Sequence, residues 1–343
     1  MTRNRTVAAL TAVTAIAIAL AGCSSPSAAP TSSAGKPPAS SSTAAAGSGA
    51  DGATDCPATA NLSTVPKRVV TLDTAAASFL IQLGLGDRIV ATADAGFSKD
   101  FTGSLREEID KIPAIAQGSD SANKEKVIAA KSDLVTGVTI YALGAFPGTP
   151  TQAELEKNGI AAMIACDTAK GEATDIDATY RYITNLAETF HVQAKGEELV
   201  ASMKKQIAAA APTTDANVPV LALSEVPSGG AGINTIGGSQ FGSAVITLAG
   251  GKNIAASTHS DFATLSSEQV ATANPKVIVA ISGLSTQTPD ELVASIKKSP
   301  LLADADAVKN NHIVVVSQGI LCSPSLLNAD AITTIADAIK AAS

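Results

Sequence analysis

The fold class is decided by residues 68–93, which read RVVTLDTAAASFLIQLGLGDRIVATA. A short run rich in β-branched side chains, 68–72, precedes a segment with helical apolar spacing, 74–83, and Gly84 follows that segment. Glycine just past the last apolar position is typical of a helix end, so these residues predict a strand and then a helix. A second β-rich run at 88–93 completes the unit. Strand, helix and strand in this order predict parallel strands.

The same alternation recurs in two groups, on either side of residues 174–214. The first group continues with predicted helices at 123–130 and 152–158 and predicted strands at 134–138 and 160–165. The second group has predicted strands at 218–223, 277–281 and 313–316 and predicted helices at 240–249, 266–273, 290–297 and 326–341. The fold class is therefore α/β, with two α/β lobes built on parallel-type sheets. We expect the first lobe to span 61–173 and the second to span 215–343.

The two lobes are predicted to be joined by one long backbone helix within residues 174–214. Helical spacing is kept there by the apolar residues Ile183, Leu186, Ala187, Phe190, Val200, Met203, Ile207 and Ala210. At about 1.5 Å per residue such a helix would extend roughly 50 Å, which suits a spacer between lobes. We expect any bend near Gly196. The alternative is two helices with a turn at Lys195 and Gly196.

The amino terminus has the pattern of an export signal. Arg3 and Arg5 precede an apolar run at 7–21, which is shorter than the roughly 20 residues of a membrane span. The run closes on Leu-Ala-Gly-Cys at 20–23, which resembles the bacterial lipobox. That resemblance implies removal of a lipoprotein signal peptide, 1–22, and lipid on Cys23. The alternative is an ordinary signal peptide with a chance cysteine.

A flexible tether is predicted after the lipidated cysteine. Residues 23–60 are rich in Ser, Ala, Pro and Gly, and such a segment cannot bury enough apolar surface to offset its ordering entropy. We therefore expect a soluble body held off the outer face of the bacterial cytoplasmic membrane. An exported chain can form a disulfide, and the pairing among Cys56, Cys166 and Cys322 stays open.

Composition and motifs argue against several function classes. The net charge is −7, and it becomes −9 when loss of residues 1–22 removes Arg3 and Arg5, so the basic footprint of a nucleic-acid-binding protein is lacking. No phosphate-loop motif occurs in the sequence, and Phe241 stands where a nucleophile elbow requires its last glycine. We therefore expect neither nucleic-acid binding nor catalysis, and no metal-binding motif is found.

A family resemblance runs through the whole predicted body. Its opening motifs are VPKRVVTL at 65–72 and LGLGDRIV at 83–90. Further motifs stand at 123–128 with 131–134, at 155–160, at 248–253, at 265–270 with 274–278, and at 307–310. In their order and spacing these motifs resemble the class III periplasmic binding proteins, which are bacterial solute-binding receptors for iron siderophores, heme and cobalamin.

The resemblance implies a monomeric receptor that delivers cargo to the permease subunits of an ABC importer. It implies as cargo a ferric siderophore or related iron chelate, with heme or cobalamin as alternatives, and no resident cofactor. Glu125 and Glu268 stand at the family's positions for permease docking, where each carboxylate would pair with arginine. The alternative for both residues is an acid favoured only by the dipole of its helix.

Candidate cargo contacts follow the predicted strands, because ligands of parallel sheets bind at the carboxyl ends of the strands. They are Phe97, Tyr141 and Phe146 in the first lobe and Glu225, Asn234, His259 and Gln318 in the second. Tyr141 and His259 could face each other as heme-iron ligands. The scarcity of Trp, Tyr and Arg supports another alternative, a cell-envelope interaction protein that kept the scaffold without ligand transport.

Overall fold

The structure is a computed structural model that describes residues 62, 64–94, 97–117, 122–144, 146–166, 174–212, 217–226 and 232–343. The predicted signal peptide, the lipidated Cys23, the tether and Cys56 lie outside the described residues. Within the described ranges, no helix combines the length and the apolar character that crossing a membrane requires.

The first lobe is built on a five-stranded parallel sheet with the strand order β3-β2-β1-β4-β5. Its strands are β1 (Val69–Thr71), β2 (Ile89–Asp94), β3 (Ala114–Gln117), β4 (Leu134–Gly137) and β5 (Ala161–Ile164). Its helices are α1 (Thr74–Gln82), α2 (Gly103–Asp110), α3 (Lys124–Ala129) and α4 (Gln152–Lys157). The predicted elements are confirmed, whereas α2 and β3 were not predicted.

The first β-α unit forms as its sequence dictates. Val69 and Val70 point to opposite faces of β1 and are both fully buried, as expected of a central parallel strand. Asp73 caps α1, since its Oδ1 accepts a hydrogen bond of 2.7 Å from the Ala76 amide. Gly84 follows the helix with φ of +75°, a conformation that suits glycine.

Two helices connect the lobes, α5 (Ile176–Thr189) and α6 (Gln193–Ala210), and not a single helix. The chain turns at His191, whose φ is +56°. The His191 amide bonds to the Glu188 carbonyl at 3.2 Å, and the Val192 amide bonds to the Ala187 carbonyl at 2.8 Å. These two bonds form the Schellman motif that ends a helix. The connection is helical as predicted, but the turn lies at 190–192 and not at Gly196.

Helix α6 folds back onto α5, so the segment is shorter end to end than the predicted spacer. The ammonium of Lys204 lies 4.9 Å from the centroid of the Tyr180 ring. Near the turn, a Cβ added to Gly196 would lie 2.4 Å from the Cβ of Ala187. Glycine at position 196 therefore permits the close approach of the two helices rather than a bend within one.

The second lobe has a four-stranded parallel sheet with the order β11-β10-β6-β8 and an antiparallel pair, β7 and β9. Its strands are β6 (Val218–Leu223), β7 (Ile233–Ile236), β8 (Gly251–Asn253), β9 (Phe262–Leu265), β10 (Val277–Ser282) and β11 (Ile313–Ser317). Its helices are α7 (Phe241–Leu248), α8 (Ser267–Ala273), α9 (Pro289–Lys298), α10 (Asp306–Lys309), α11 (Gln318–Leu321) and α12 (Asn328–Ala342). The predicted fold class, with two α/β lobes on parallel sheets, is confirmed.

One hydrophobic cluster joins the two lobes through the connecting helices. Phe79 of the first lobe, Tyr182 and Ile183 of α5, and Phe241 and Ile332 of the second lobe are all buried in it. Phe79 and Tyr182 meet edge to face, with ring centroids 5.7 Å apart. The outer faces of the two sheets are buried in separate clusters. The shared core therefore ties the lobes together at the base of the cleft between them.

Candidate functional site

The site lies where the carboxyl ends of the two parallel sheets face each other. In the first sheet, the strands before β4 are added on one side of β1, and β4 and β5 are added on the other. In the second sheet, β8 is added on one side of β6, and β10 and β11 on the other. The switch points therefore lie between β1 and β4 and between β6 and β10. Such topological switch points are where open parallel sheets bind ligands. Of the predicted cleft residues, Tyr141 and Phe146 follow β4 and Glu225 follows β6. The others lie after or beside neighbouring strands.

Tyr141 bridges the cleft to Asp261. Tyr141 lies in a 3₁₀ turn after β4, and its hydroxyl donates a hydrogen bond to the Asp261 carboxylate, which stands just before β9. The Tyr141 ring also packs against Phe146, with centroids 6.2 Å apart. The structure therefore gives Tyr141 a second-lobe partner, but the partner is Asp261 and not the predicted His259, whose side chain is exposed.

A second bridge is formed by the turn after β2. The Ser317 hydroxyl, at the end of β11, donates a hydrogen bond of 2.5 Å to Asp100. The Phe97 ring in the same turn reaches Gly283 and Gly319, so that a Cβ on either glycine would crowd it. Phe97 therefore lies at the interface of the lobes, and its predicted contact with cargo stays a prediction. Sequence reasoning missed Asp100, Asp261 and Ser317.

Asp73 is an acid that sequence reasoning did not assign to the cleft. It follows β1 at the switch point, and its Oδ2 accepts a hydrogen bond of 2.8 Å from the Val138 amide. Burial outweighs this bond and the bond from Ala76, and it raises the pKa of the Asp73 carboxyl to about 6. A Cβ on Gly137 would lie 2.9 Å from Asp73 Oδ2, so glycine there leaves room for the carboxylate.

The remaining predicted contacts of the second lobe lie around its strand ends. Glu225 is exposed after β6, and Gln318 is the half-buried first residue of α11. The Asn234 side chain, on β7, accepts a hydrogen bond of 2.9 Å from the Thr264 hydroxyl. Asn234 also lines a cavity of about 30 Å³, which is large enough for a water molecule but not for a cargo. Among the described residues, the cavity beside Asn234 is therefore too small to be a cargo chamber.

Glu125 and Glu268 occupy equivalent positions on the two lobes. Each is the second residue of its helix and is exposed, behind the caps Asn123 of α3 and Ser266 of α8. The backbone amide of Glu268, and then the Ser266 hydroxyl, lower the pKa of the Glu268 carboxyl. Both acids lie in the first turn of a helix, and both are exposed to a partner, whereas their docking role stays a prediction.

The described cysteines have different states. Cys166 is disulfide-bonded, and its partner lies outside the described residues. Cys322 is free and buried, and burial raises the pKa of its thiol to about 12. Of the pairings left open by the sequence, those that include Cys322 are therefore wrong. Among the described residues, no group of three or more His, Cys, Asp or Glu side chains is arranged to hold a metal ion.

Known proteins with similar sequences are solute-binding proteins. Residues 69–318 match the family model described as periplasmic binding protein. The chain is 24% identical over 259 residues to an uncharacterized ABC transporter substrate-binding lipoprotein of Bacillus subtilis, covering 75% of this chain and 74% of that one. It is 23% identical over 274 residues to a vitamin B12-binding protein of Vibrio parahaemolyticus, covering 79% and 88% of the two chains.

Solved structures share the fold over most of their length. A protein of the ABC-type Fe3+-hydroxamate transport system from Saccharomonospora viridis has a TM-score of 0.67 at 24% identity, covering 80% of this chain and 93% of that one. A periplasmic heme-binding protein from Roseiflexus in its apo form has a TM-score of 0.64 at 24% identity, covering 80% and 98%. These likenesses support the two-lobed architecture.

Proposed function

Because the chain belongs to the periplasmic binding protein family, we propose that it is the cargo receptor of an ABC importer. The observation that carries this proposal is the pair of parallel sheets whose carboxyl ends face each other across side-chain bridges. Two facing switch points can enclose a small molecule between rigid scaffolds. A solute receptor needs this geometry, and no catalytic group is required for it.

The proposed cargo is a ferric siderophore or a related iron chelate. A chelate brings its own coordination shell, so the receptor needs polar and apolar contacts rather than metal ligands. Relatives described as Fe3+-hydroxamate, heme-binding and vitamin B12-binding proteins support a metal chelate as cargo. Heme and cobalamin remain the alternatives within the same family.

Thermal unfolding of the chain against a chelate panel tests the cargo. The panel contains ferric hydroxamate, ferric catecholate, ferric citrate, heme and cobalamin, each beside its metal-free counterpart. A cargo at 100 times its Kd stabilises the folded state by about 2.7 kcal/mol, which shifts the midpoint by a few degrees. A shift with one metal-loaded compound supports the proposal. No shift with any compound would favour an envelope interaction protein.

We further propose that lipid on Cys23 holds the receptor at the outer face of the membrane. The lipobox-like sequence at 20–23 and the lipoprotein description of the Bacillus subtilis relative support this proposal. Substitution Cys23→Ser should release the chain from the membrane fraction into the medium or periplasm, as measured by immunoblotting. Retention in the membrane fraction would contradict it.

Glu125 and Glu268 are proposed to dock the receptor onto its permease. Their equivalent exposed positions on separate lobes let two arginine pairs fix orientation at once. Capture of the permease should fall at least tenfold when both are changed to Lys. The matched control changes Glu107 and Glu198, which are exposed acids on α2 and α6, to Lys and should leave capture unchanged. Equal losses of capture in the two double variants would show that the change in net charge, and not the two positions, causes the loss.

A further inference from the structure

A turn of the first lobe fills a notch in the second. We define the glycine notch as the surface formed by Gly283, Ser317 and Gly319 at the carboxyl ends of β10 and β11. A Cβ built on Gly283 would lie 2.8 Å from Cε1 of Phe97, and one on Gly319 would lie 3.1 Å from its Cγ. Any side chain at either position would meet the Phe97 ring, so the ring has the shape that the notch accepts.

The backbone does not by itself explain glycine at position 319. Gly283 has a φ of +98°, which favours glycine whatever packs against it. Gly319 lies instead in helix α11, where alanine is the better helix former. The aromatic ring of Phe97 is the group that needs the space beside Gly319, and this identifies the notch as a surface suited to an aromatic ring.

A polar group completes the notch. The Ser317 hydroxyl donates its hydrogen bond of 2.5 Å to Asp100, the third residue after Phe97. Asp100 Oδ2 also lies 3.3 Å from the Cβ position of Gly319. The notch therefore holds an aromatic ring and an oxygen acceptor side by side. Phe97 is half-buried, unlike the fully buried Phe79 and Phe241, so solvent reaches part of this residue.

We propose that the glycine notch is a cargo subsite for an aromatic ring bearing an oxygen acceptor, and that Phe97 and Asp100 occupy it until cargo arrives. The proposal rests on the proposed receptor function and narrows its cargo to chelates with oxygen-bearing aromatic rings, such as catecholates. The cargo ring replaces Phe97 on the glycines, and its oxygen replaces Asp100 on the Ser317 hydroxyl. The apparent affinity of the receptor for cargo is then its intrinsic affinity multiplied by the fraction of molecules in which Phe97 and Asp100 have left the notch.

The subsite can be tested without knowing the cargo. In the whole chain, Phe97→Ala together with Asp100→Ala empties the notch, and benzoate supplies a ring with a carboxylate. We expect millimolar benzoate to raise the unfolding midpoint of this variant by a few degrees and to leave the unaltered chain unmoved. Cyclohexanecarboxylate, which has the same charge without an aromatic ring, should move neither. No benzoate shift in the variant, or an equal shift in both chains, would overturn the proposal.

A second variant keeps the test valid if the doubly substituted chain does not fold. Gly319→Ala fills the notch and should displace the Phe97 turn. The amides of Asp100 and Phe101, which bond to the Phe97 and Ser98 carbonyls, should then exchange hydrogen at least tenfold faster. Unchanged hydrogen exchange at both amides would show that the Phe97 turn stays in place when the notch is filled. That result would overturn the proposal.

The chelate panel separates this inference from the receptor function. Ferric catecholate should bind the unaltered chain and lose at least tenfold in affinity on Gly319→Ala. If a chelate binds both chains equally, the receptor function stands and the notch proposal fails. If no chelate binds any chain but benzoate still binds the emptied notch, the receptor function fails and the aromatic subsite stands.

Discussion

The Tyr141 hydroxyl of the first lobe is hydrogen-bonded to the Asp261 carboxylate of the second. This bond joins the loop after β4 to the residues that lead into β9, across 120 positions of sequence. A hydrogen bond to a charged group contributes about 1.5–3 kcal/mol when it is sheltered from water. The cleft is thus held closed at its rim by side chains, in addition to the shared core at its base.

Removal of the Tyr141 hydroxyl should loosen the rim of the cleft. We expect Tyr141→Phe to lower the free energy of unfolding by about 1–2 kcal/mol, because both groups are only half-buried. Urea unfolding followed by circular dichroism measures the loss. Tyr180→Phe is the control, since that tyrosine packs under Lys204 through its ring. Equal losses in both variants would show that the Asp261 bond adds nothing to stability.

Asp73 should make stability depend on pH between about 4 and 6. The pKa of Asp73 is about 6 in the folded chain, against the ordinary 3.8 of an aspartic acid in the unfolded chain, so the folded chain binds more protons between these values. The contribution of the neutral acid is therefore present below about pH 3.8 and lost as the pH rises to about 6. The loss should be at most about 3 kcal/mol.

Unfolding free energies of the unaltered chain and Asp73→Asn, measured from pH 4 to pH 7, isolate this effect. The difference between the two chains should change over that window, and a constant difference would contradict the assignment. Asp87→Asn, at an exposed acid, is the control. Glu154 does not interfere, because Lys124 holds the pKa of Glu154 at about 2 and its contribution is lost only as the pH falls below about 4.5.

The contact between α5 and α6 should depend on the combined size of residues 187 and 196. Gly196→Ala places a Cβ 2.4 Å from that of Ala187 and should destabilise the chain by about 1–3 kcal/mol. Adding Ala187→Gly should restore much of this loss, although that change alone costs about 1 kcal/mol in helix propensity. Chemical denaturation of the four chains measures the coupling. Strictly additive losses would show that the helices do not touch there.

The Cys322 thiol should be unreactive while the chain is folded. Burial blocks access and raises the pKa of the thiol to about 12, so little thiolate forms at pH 8. Ellman's reagent should react with it at the rate at which the chain unfolds, and this rate should rise with added urea. Cys322→Ala supplies the blank. Rapid reaction in native buffer would show that the residue is accessible.

Local patterns predicted most of the fold because burial and secondary structure agree in them. The β1–α1 unit has apolar residues on both faces of its strand and an acid at its helix cap. The strand β8, with the sequence Gly-Lys-Asn, lacks that signal. Its Asn253 is a polar residue that can be buried, since its side-chain amide donates a hydrogen bond of 3.1 Å to the Ile236 carbonyl. The turn at His191 carries no glycine and so could not be distinguished from a continuing helix.

The sequence predicted two of the residues that lie at the interface of the lobes, but not the partners that they contact. Phe97 and Tyr141 were found because they follow strands of a parallel sheet. Their partners were missed because each depends on how the lobes face each other. Asp100 and Ser317 are separated by 217 positions, and neither residue type is unusual in a loop. The apolar periodicity of strands (two residues) and helices (3.6 residues) describes neighbours within one element, and it says nothing about residues so far apart in the sequence.

The position of α12 sets the order in which the molecule can be completed. The first sheet uses only residues 69–164, so all five of its strands are present once that segment has been synthesised. Helix α6 buries Met203 and Ile207, yet it packs against α12, which begins at Asn328. A growing chain therefore has every strand of the first sheet but an uncovered stripe on α6 for more than a hundred further residues. That stripe is a surface open to chaperones until the last helix arrives.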